Sequence, residues 1–460
     1  MPDLCFLSAT DLARQIAARQ VSSVEATRAY LERIEQYDEH LRAFITVDAE
    51  GALAAAHAAD TLAGSQRTQP LHGVPVAVKD NIATRGLRTT GGSRVLADWV
   101  PERDAPVVRR LKQAGAVIVG KANLHEFAYG GTCTNVEFGA VRNPWNPEHV
   151  PGGSSGGSAV AVAAGLCAAA LGTDTAGSVR LPASQCGVVG LKPTYGRTSI
   201  RDVLPLAWSL DHVGPITRTV EDAGLLLDVL AETPVRSRST EGIAGLRLGL
   251  PRDYFFDSVQ TDVLEAVERA LEVLHDLGAI LVDVEWPAVH LSNSATWTII
   301  LAEASAFHRP WFRAHPDRYA PETRANLELG ELLPAGDYVQ AQRVRTVLQQ
   351  QARDLHEQVN ALVTPMLAIS PPRIGQTTVE VGGKVKEINP VFIRLADPFN
   401  LTGQPAISVP CGFGRDGLPI GLQIAAAPGA EHTVLRVASA YEAATEWHLR
   451  RPPLLEEARR

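Results

Sequence analysis

The chain has 460 residues, 45% hydrophobic and 20% charged, enough to bury a large core without disulfide or metal staples. Its formal net charge of −8 argues against a surface built to neutralise phosphates, so no nucleic-acid partner is expected. Its five cysteines (Cys5, Cys133, Cys167, Cys186 and Cys411) form no C-x-x-C pair, which argues against a disulfide framework or structural zinc and for a reducing compartment. Residues 1–10 lack the charged and apolar regions of a secretion signal. The most apolar stretch, 159–171, is broken by Gly165 and is too short to span a bilayer. A cytoplasmic location without a membrane partner is expected.

In chain order, region 1–65 reads as mostly helical. Ser22-Ser23-Val24-Glu25 has the form of a capping box opening a helix to about residue 41. Val74, Val76 and Val78 alternate as in a strand, with Lys79 at its end. Asp104-Ala105-Pro106 opens a helix that Gly115 closes, and a buried strand follows at 116–120. Residues 155–164 are small and apolar, suited to a tightly packed helix, and 168–171 suit the next strand. Further elements are a helix at 219–231, a linker at 236–242, a strand at 246–250, a helix at 261–277 and a strand at 281–284. A long polar helix at 336–360, a hairpin at 378–387 and strands at 406–409 and 420–424 complete the list. Helices and strands alternate throughout, which predicts an α/β fold with a mixed or parallel sheet in one domain, 1–460.

Two glycine–serine clusters carry the chemistry, Pro151-Gly152-Gly153-Ser154-Ser155-Gly156-Gly157-Ser158 and Gly172-Thr173-Asp174-Thr175-Ala176-Gly177-Ser178-Val179-Arg180. Gly152 to Gly156 fits the G-x-S-x-G spacing of a nucleophile elbow, but the proline-rich segment 143–151 before it cannot be the required central strand. A phosphate loop is excluded because no Gly-Lys-Ser/Thr ending occurs. His125-Glu126 lacks the second histidine of a zincin, so no metal and no cofactor are expected.

Together with Gly73-Val74-Pro75-Val76-Ala77-Val78-Lys79-Asp80, these clusters resemble the amidase signature family. Cys186-Gly187-Val188-Val189-Gly190-Leu191-Lys192-Pro193-Thr194, Asn400-Leu401-Thr402-Gly403-Gln404-Pro405-Ala406 and Gly417-Leu418-Pro419-Ile420-Gly421-Leu422-Gln423 extend the resemblance over almost the whole chain. It implies a central mixed β-sheet flanked on both faces by α-helices. It also implies a triad in which Ser178 is the nucleophile, Ser154 the cis-serine relay and Lys79 the base. A serine hydroxyl needs a base to become a good nucleophile. Lysine is that base only when neutral, so its pKa must fall from about 10.4 toward 7, a shift that desolvation supplies. The backbone N–H groups of Thr175, Ala176, Gly177 and Ser178 are the implied oxyanion donors. Ala176 departs from the family's usual glycine. Asp174 and Arg180 read as buried polar groups holding the turn, with Ser155 as a supporting hydroxyl.

Gly130, Gly131 and Thr132 resemble the family's loop beside the nucleophile and are expected to bind substrate. Cys133 reads as packing rather than as a competing nucleophile. Trp208 is a candidate for lining the site. Trp297, Trp311 and Tyr338 fall in the variable region, about 291–397, as specificity candidates. The expected function is hydrolysis of a C–N bond in a small amide, aryl amide or carbamate (urethane), by a monomer or homodimer. The alternative is the glutaminase component of a tRNA-dependent amidotransferase. That component implies an acidic residue a few positions before Asn400-Leu401. The matching position is near Ile393 and Asp397 is out of place, which disfavours the alternative.

Overall fold

The computed structural model describes residues 4–62, 69–231, 233, 235 and 241–453. Eleven strands form its main sheet: β1 (Phe44–Val47), β2 (Pro75–Lys79), β3 (Val117–Ala122), β4 (Ala169–Asp174), β5 (Val189–Lys192), β6 (His212–Thr217), β7 (Arg247–Leu250), β8 (Ile280–Asp283), β9 (Ala361–Pro365), β10 (Ala406–Phe413) and β11 (Pro419–Ala426). Their spatial order is β1-β3-β2-β4-β6-β5-β10-β11-β9-β7-β8. Three strands, β3, β2 and β4, pair in parallel, as do β9, β7 and β8; the remaining pairs are antiparallel. The sheet is therefore mixed, and it is flanked by helices as expected.

Both of its faces are covered. In β2, Ala77 joins one hydrophobic cluster while Val76 and Val78 join another, and in β4 Ala170 separates in the same way from Ala169 and Leu171. Alternate side chains point to opposite faces, so burial of both faces explains why β4 reads as an unbroken apolar run. The helix Gly156–Ala163 is buried along its whole length, and its small side chains let it lie close to the sheet.

Most of the predicted elements are present. Ser22 caps the helix Ser23–Leu41, and its reciprocal contact with Glu25 completes the capping box. Gly382 and Gly383 turn the hairpin Thr378–Val381 with Lys384–Glu387. The structure also holds elements that the sequence reading lacks, among them β5, β9 and the helices Arg180–Cys186 and Glu431–Ala443. Region 1–65 contains the edge strand β1 between helices Ser23–Leu41 and Ala49–Leu62. The strand expected at 168–171 runs on as β4 to Asp174. β6 lies beside β4, although its Gly214-Pro215 reads as a break. Glycine is needed there because a Cβ on Gly214 would lie 2.1 Å from the Leu191 carbonyl oxygen of the neighbouring strand. Most of the linker expected at 236–242 lies outside the described residues.

The 291–397 region supplies β9 to the sheet, and its remaining elements form a layer beside the pocket. Its helices Ser292–Ala314, Pro321–Glu331 and Ala335–Gln358 and the short helix Ile388–Ile393 share a hydrophobic cluster with Tyr129, Ala176 and Leu181. Among the described residues no helix is long and apolar enough to cross a membrane.

Candidate active site

Lys79 ends β2, between β3 and β4, and is fully buried. Its Nζ donates to Ser154 Oγ at 2.7 Å and to Thr173 Oγ1 at 2.8 Å. Burial lowers its pKa from the ordinary 10.5 to about 7; the more distant Cys133, Asp174 and Asp211 oppose the shift without cancelling it. The neighbouring Asp80 does not neutralise it. That carboxylate turns to Lys121 Nζ at 3.6 Å and to the Thr90 hydroxyl and N–H. Thr173, which also accepts from Asn81 Nδ2 at 3.1 Å, is a site residue the sequence reading missed. The period-two pattern of β4 is the signal that places it on the same face as Leu171 and Ala169.

The first serine cluster turns sharply before the helix Gly156–Ala163, and the Gly153–Ser154 peptide is cis. Ser155 ties it to β4: its hydroxyl donates to the Thr173 carbonyl at 3.1 Å and accepts from the Thr173 N–H at 3.2 Å. The Ser155 N–H donates to the Ser178 carbonyl at 3.2 Å, which brings the two clusters together. Ser155 thus hydrogen-bonds to both segments.

The second cluster is a turn organised by a buried ion pair. Arg180 Nη2 and Nε meet the two Asp174 oxygens at 3.0 and 3.1 Å. Arg180 also donates to Gln423 Oε1, Asn400 Oδ1 and the Ala396 carbonyl. Burial alone would raise the pKa of Asp174, but the Arg180 guanidinium holds it well below the carboxylate range. Asp174 in turn accepts from the Gly177 N–H at 2.8 Å and the Val179 N–H at 3.1 Å. The Gly177 N–H is thus turned onto Asp174. Thr175, Ala176 and Ser178 line the adjoining pocket and Gly177 does not. The φ of +115° at Gly177 and a Cβ position 2.6 Å from Ala396 Cβ explain why glycine stands there, while Ala176 needs no such freedom. Thr175 is anchored by Asp211, which accepts its hydroxyl at 2.6 Å and the N–H groups of Leu206 and Ala207. Burial pushes the Asp211 carboxyl up to about 7.

Above this turn lies a pocket of about 30 Å³. Its remaining walls are Ala128, Tyr129, Gly130, Gly131, Leu181, Leu206, Trp297, Ile300, Asn389 and Ile393, so no ionisable acid or base of the Asp, Glu, Lys, Arg or His types lines it. Beyond Trp297 and Asn389, which border both spaces, an outer cavity of about 760 Å³ opens. Thr132 lines this outer cavity, one step farther out than Gly130 and Gly131. Ser178 is 8% exposed and lines this pocket, whose walls carry no charged side chain.

Of the other candidates, Trp297 reaches the site. Trp311 packs on Phe307 and His308, Tyr338 donates to Glu303, and Trp208 is largely exposed with its carbonyl accepting from Tyr195. Cys133 is buried against the Ser154 carbonyl, and burial pushes its thiol up to about 12, which fits packing rather than nucleophilic chemistry. Ile393 lines the inner pocket, while Asp397 is buried away from it, accepting from Asn293 Nδ2 at 3.0 Å. No cluster of His, Cys, Asp or Glu suited to a metal ion occurs among the described residues.

The family model described as Amidase matches residues 25–435. The chain belongs to the amidase signature family. It is 42% identical to the A component of the glutamyl-tRNA(Gln) amidotransferase of Trichlorobacter lovleyi, over 96% of this chain and 98% of that protein. It superposes on a crystal structure of an amidase with a TM-score of 0.89 at 35% identity, covering 95% of this chain and 99% of that one. The A component of the glutamyl-tRNA(Gln) amidotransferase of Thermotoga maritima, 34% identical, gives a TM-score of 0.78 with 96% and 95% covered. As a member of this family the chain is assigned amidase-type hydrolase chemistry.

Proposed function

We propose that the chain is an amidohydrolase of small uncharged amides, working through an acyl-enzyme with Ser178 as nucleophile, Ser154 as relay and Lys79 as base. The observation that carries this reading is the 2.7 Å contact between Ser154 Oγ and a lysine whose burial sets its pKa at about 7. Neutral Lys79 takes the Ser154 hydroxyl proton as Ser154 takes that of Ser178. Ser178 Oγ then bonds to the substrate carbonyl carbon. The resulting oxyanion is met by the N–H groups of Thr175, Ala176 and Ser178, each such donor being worth about 10²–10³ in rate. Collapse breaks the C–N bond, and the proton on Lys79 returns through Ser154 to the leaving amine. Water then repeats the sequence on the acyl-enzyme and frees the acid.

The small inner pocket suits a short acyl group, and the outer cavity has room for the leaving amine. An anilide or an aryl carbamate presents the same carbonyl beside a leaving nitrogen and follows the same steps. Monomeric or homodimeric assembly and a cytoplasmic location accompany this reading; the five cysteines, all buried and none in a disulfide, suit a reducing compartment.

A second reading, the glutaminase component of an amidotransferase, is supported by the names of the curated relatives, and more directly than they support a stand-alone hydrolase. Against it stands the inner pocket, whose walls Ile393, Trp297 and Ile300 offer a zwitterion no opposite charge; the carboxylates Glu322 and Glu387 line the outer cavity instead. A turnover screen of acetamides, anilides, aryl carbamates and free glutamine, with Ser178→Ala as control, separates the two. Turnover of neutral amides that is lost in the control is expected. Activity confined to glutamine, or gained only with a co-purifying partner protein, contradicts the first reading and supports the second.

A further inference from the structure

Two glycines, Gly130 and Gly131, form one wall of the inner pocket, and both are braced by side chains that take no part in the proton relay. Against Gly130 lies the His125 imidazole; a Cβ at 130 would fall 2.3 Å from its Cε1. The Gly131 N–H donates to Asn389 Oδ1 at 3.3 Å. Asn389 Nδ2 donates in turn to Glu322 Oε1 at 2.7 Å, and Glu322 Oε2 lies 3.6 Å from His125 Nε2. One carboxylate therefore touches both groups that brace the two glycines. Burial opposes its charge, but the His125 and Asn389 contacts outweigh burial and keep the Glu322 carboxyl below its ordinary range. The bracing reaches the serine loop as well, because the His125 N–H donates to the Ser154 carbonyl at 3.2 Å. Glu322 itself sits at the edge of the molecule with its side chain 45% exposed, so it is not a core residue.

We propose that Glu322 is a positioning residue for this wall, acting through Asn389 and His125, and that it sets the width of the inner pocket and hence the length of acyl group admitted. The inference rests on the reading of the inner pocket as the acyl site. An acyl chain that outgrows the pocket presses on the Gly130–Gly131 segment or on Asn389, which borders the outer cavity. The clasp resists this because Asn389 is fixed at both ends, by Gly131 and by Glu322. A hydrogen bond to a charged acceptor is worth enough to discriminate chain lengths about tenfold or more.

The test measures kcat and KM for acetyl, butanoyl and hexanoyl anilides in the wild type, Glu322→Ala, Glu322→Gln and Asn389→Ala, with amide hydrogen exchange on the peptide containing Gly131. In Glu322→Ala the preference for acetyl over hexanoyl is expected to shrink about tenfold, through KM rather than kcat. Glu322→Gln, whose amide oxygen still accepts from Asn389, keeps most of the preference. Exchange at Gly131 quickens in both alanine variants. An unchanged chain-length preference in Glu322→Ala overturns the proposal, whether or not exchange quickens, and so does an equal loss at every length in the Ala and Gln variants. If the wild type hydrolyses none of the anilides, the acyl reading has failed instead; the exchange measurement then decides the clasp alone, and unchanged exchange at Gly131 overturns it.

Discussion

The sheet side of the pocket and the 291–397 layer that roofs it are held in place by different forces. On the sheet side, Lys79, Ser155, Thr173, Asp174, Thr175 and Arg180 each make at least one buried side-chain hydrogen bond to another part of that same network. On the other side, Trp297, Ile300 and Ile393 meet the pocket through apolar surface, and Asn389 is the one polar side chain that this layer adds to the inner pocket. Hydrogen-bonded networks have few alternative arrangements and fix geometry. Apolar surfaces tolerate substitution with loss of fit rather than loss of fold. The sheet side thus suits an unchanging chemical step, and the roof suits the choice of substrate.

If that division is right, the largest effects come from the sheet side. Ser178→Ala should lower kcat by about 10⁴-fold or more with the fold intact, read by steady-state turnover and circular dichroism. Lys79→Ala should cost about 10³-fold or more, since members of one proton relay fail together. The wild-type pH profile follows from the same lysine. Its neutral form is the active one, so kcat/KM should rise tenfold per pH unit below about 7 and level off above it; a profile flat into acid contradicts a lysine base. Arg180→Met leaves the Asp174 carboxylate buried without its counter-charge, and urea unfolding should show a loss of about 3–5 kcal/mol.

On the roof the expected effects are smaller. Ile393→Asp places a charge in the inner pocket and should reduce turnover of neutral acetanilide about 10- to 100-fold while leaving Lys79 and the pH midpoint in place. A shift of that midpoint by a unit or more would show that roof and relay are coupled.

The sheet side was the more legible of the two from sequence. Apolar alternation at Val74, Val76 and Val78 ending on a lysine announces a buried amine, and the two glycine–serine clusters carry the family resemblance that implies the relay. That the Gly177 N–H is engaged by Asp174 was not legible, because the contact depends on the turn geometry and on a partner of Asp174, Arg180, six residues away. β6 was hidden for the same kind of reason: Gly214-Pro215 reads locally as a break, and the segment is a strand through its pairing with the distant β4 and β5. In the roof, periodicity located the long helix Ala335–Gln358 but could not choose among aromatic residues. Trp297 and Trp311 lie on one helix, and only Trp297 faces the site. The outward placement of Thr132 and the clasp joining Asn389 to Glu322 likewise depend on segments far apart in the chain.

The central claim is that Ser178 becomes acylated. Rapid acid quench of the enzyme turning over an activated acetyl substrate, followed by peptide mass spectrometry, tests it most directly. The account predicts an acetyl group on the peptide holding Ser178, building up in a burst and absent from Ser178→Ala. Turnover without any adduct, or an adduct on another residue such as Cys133 that survives Ser178→Ala, would contradict it.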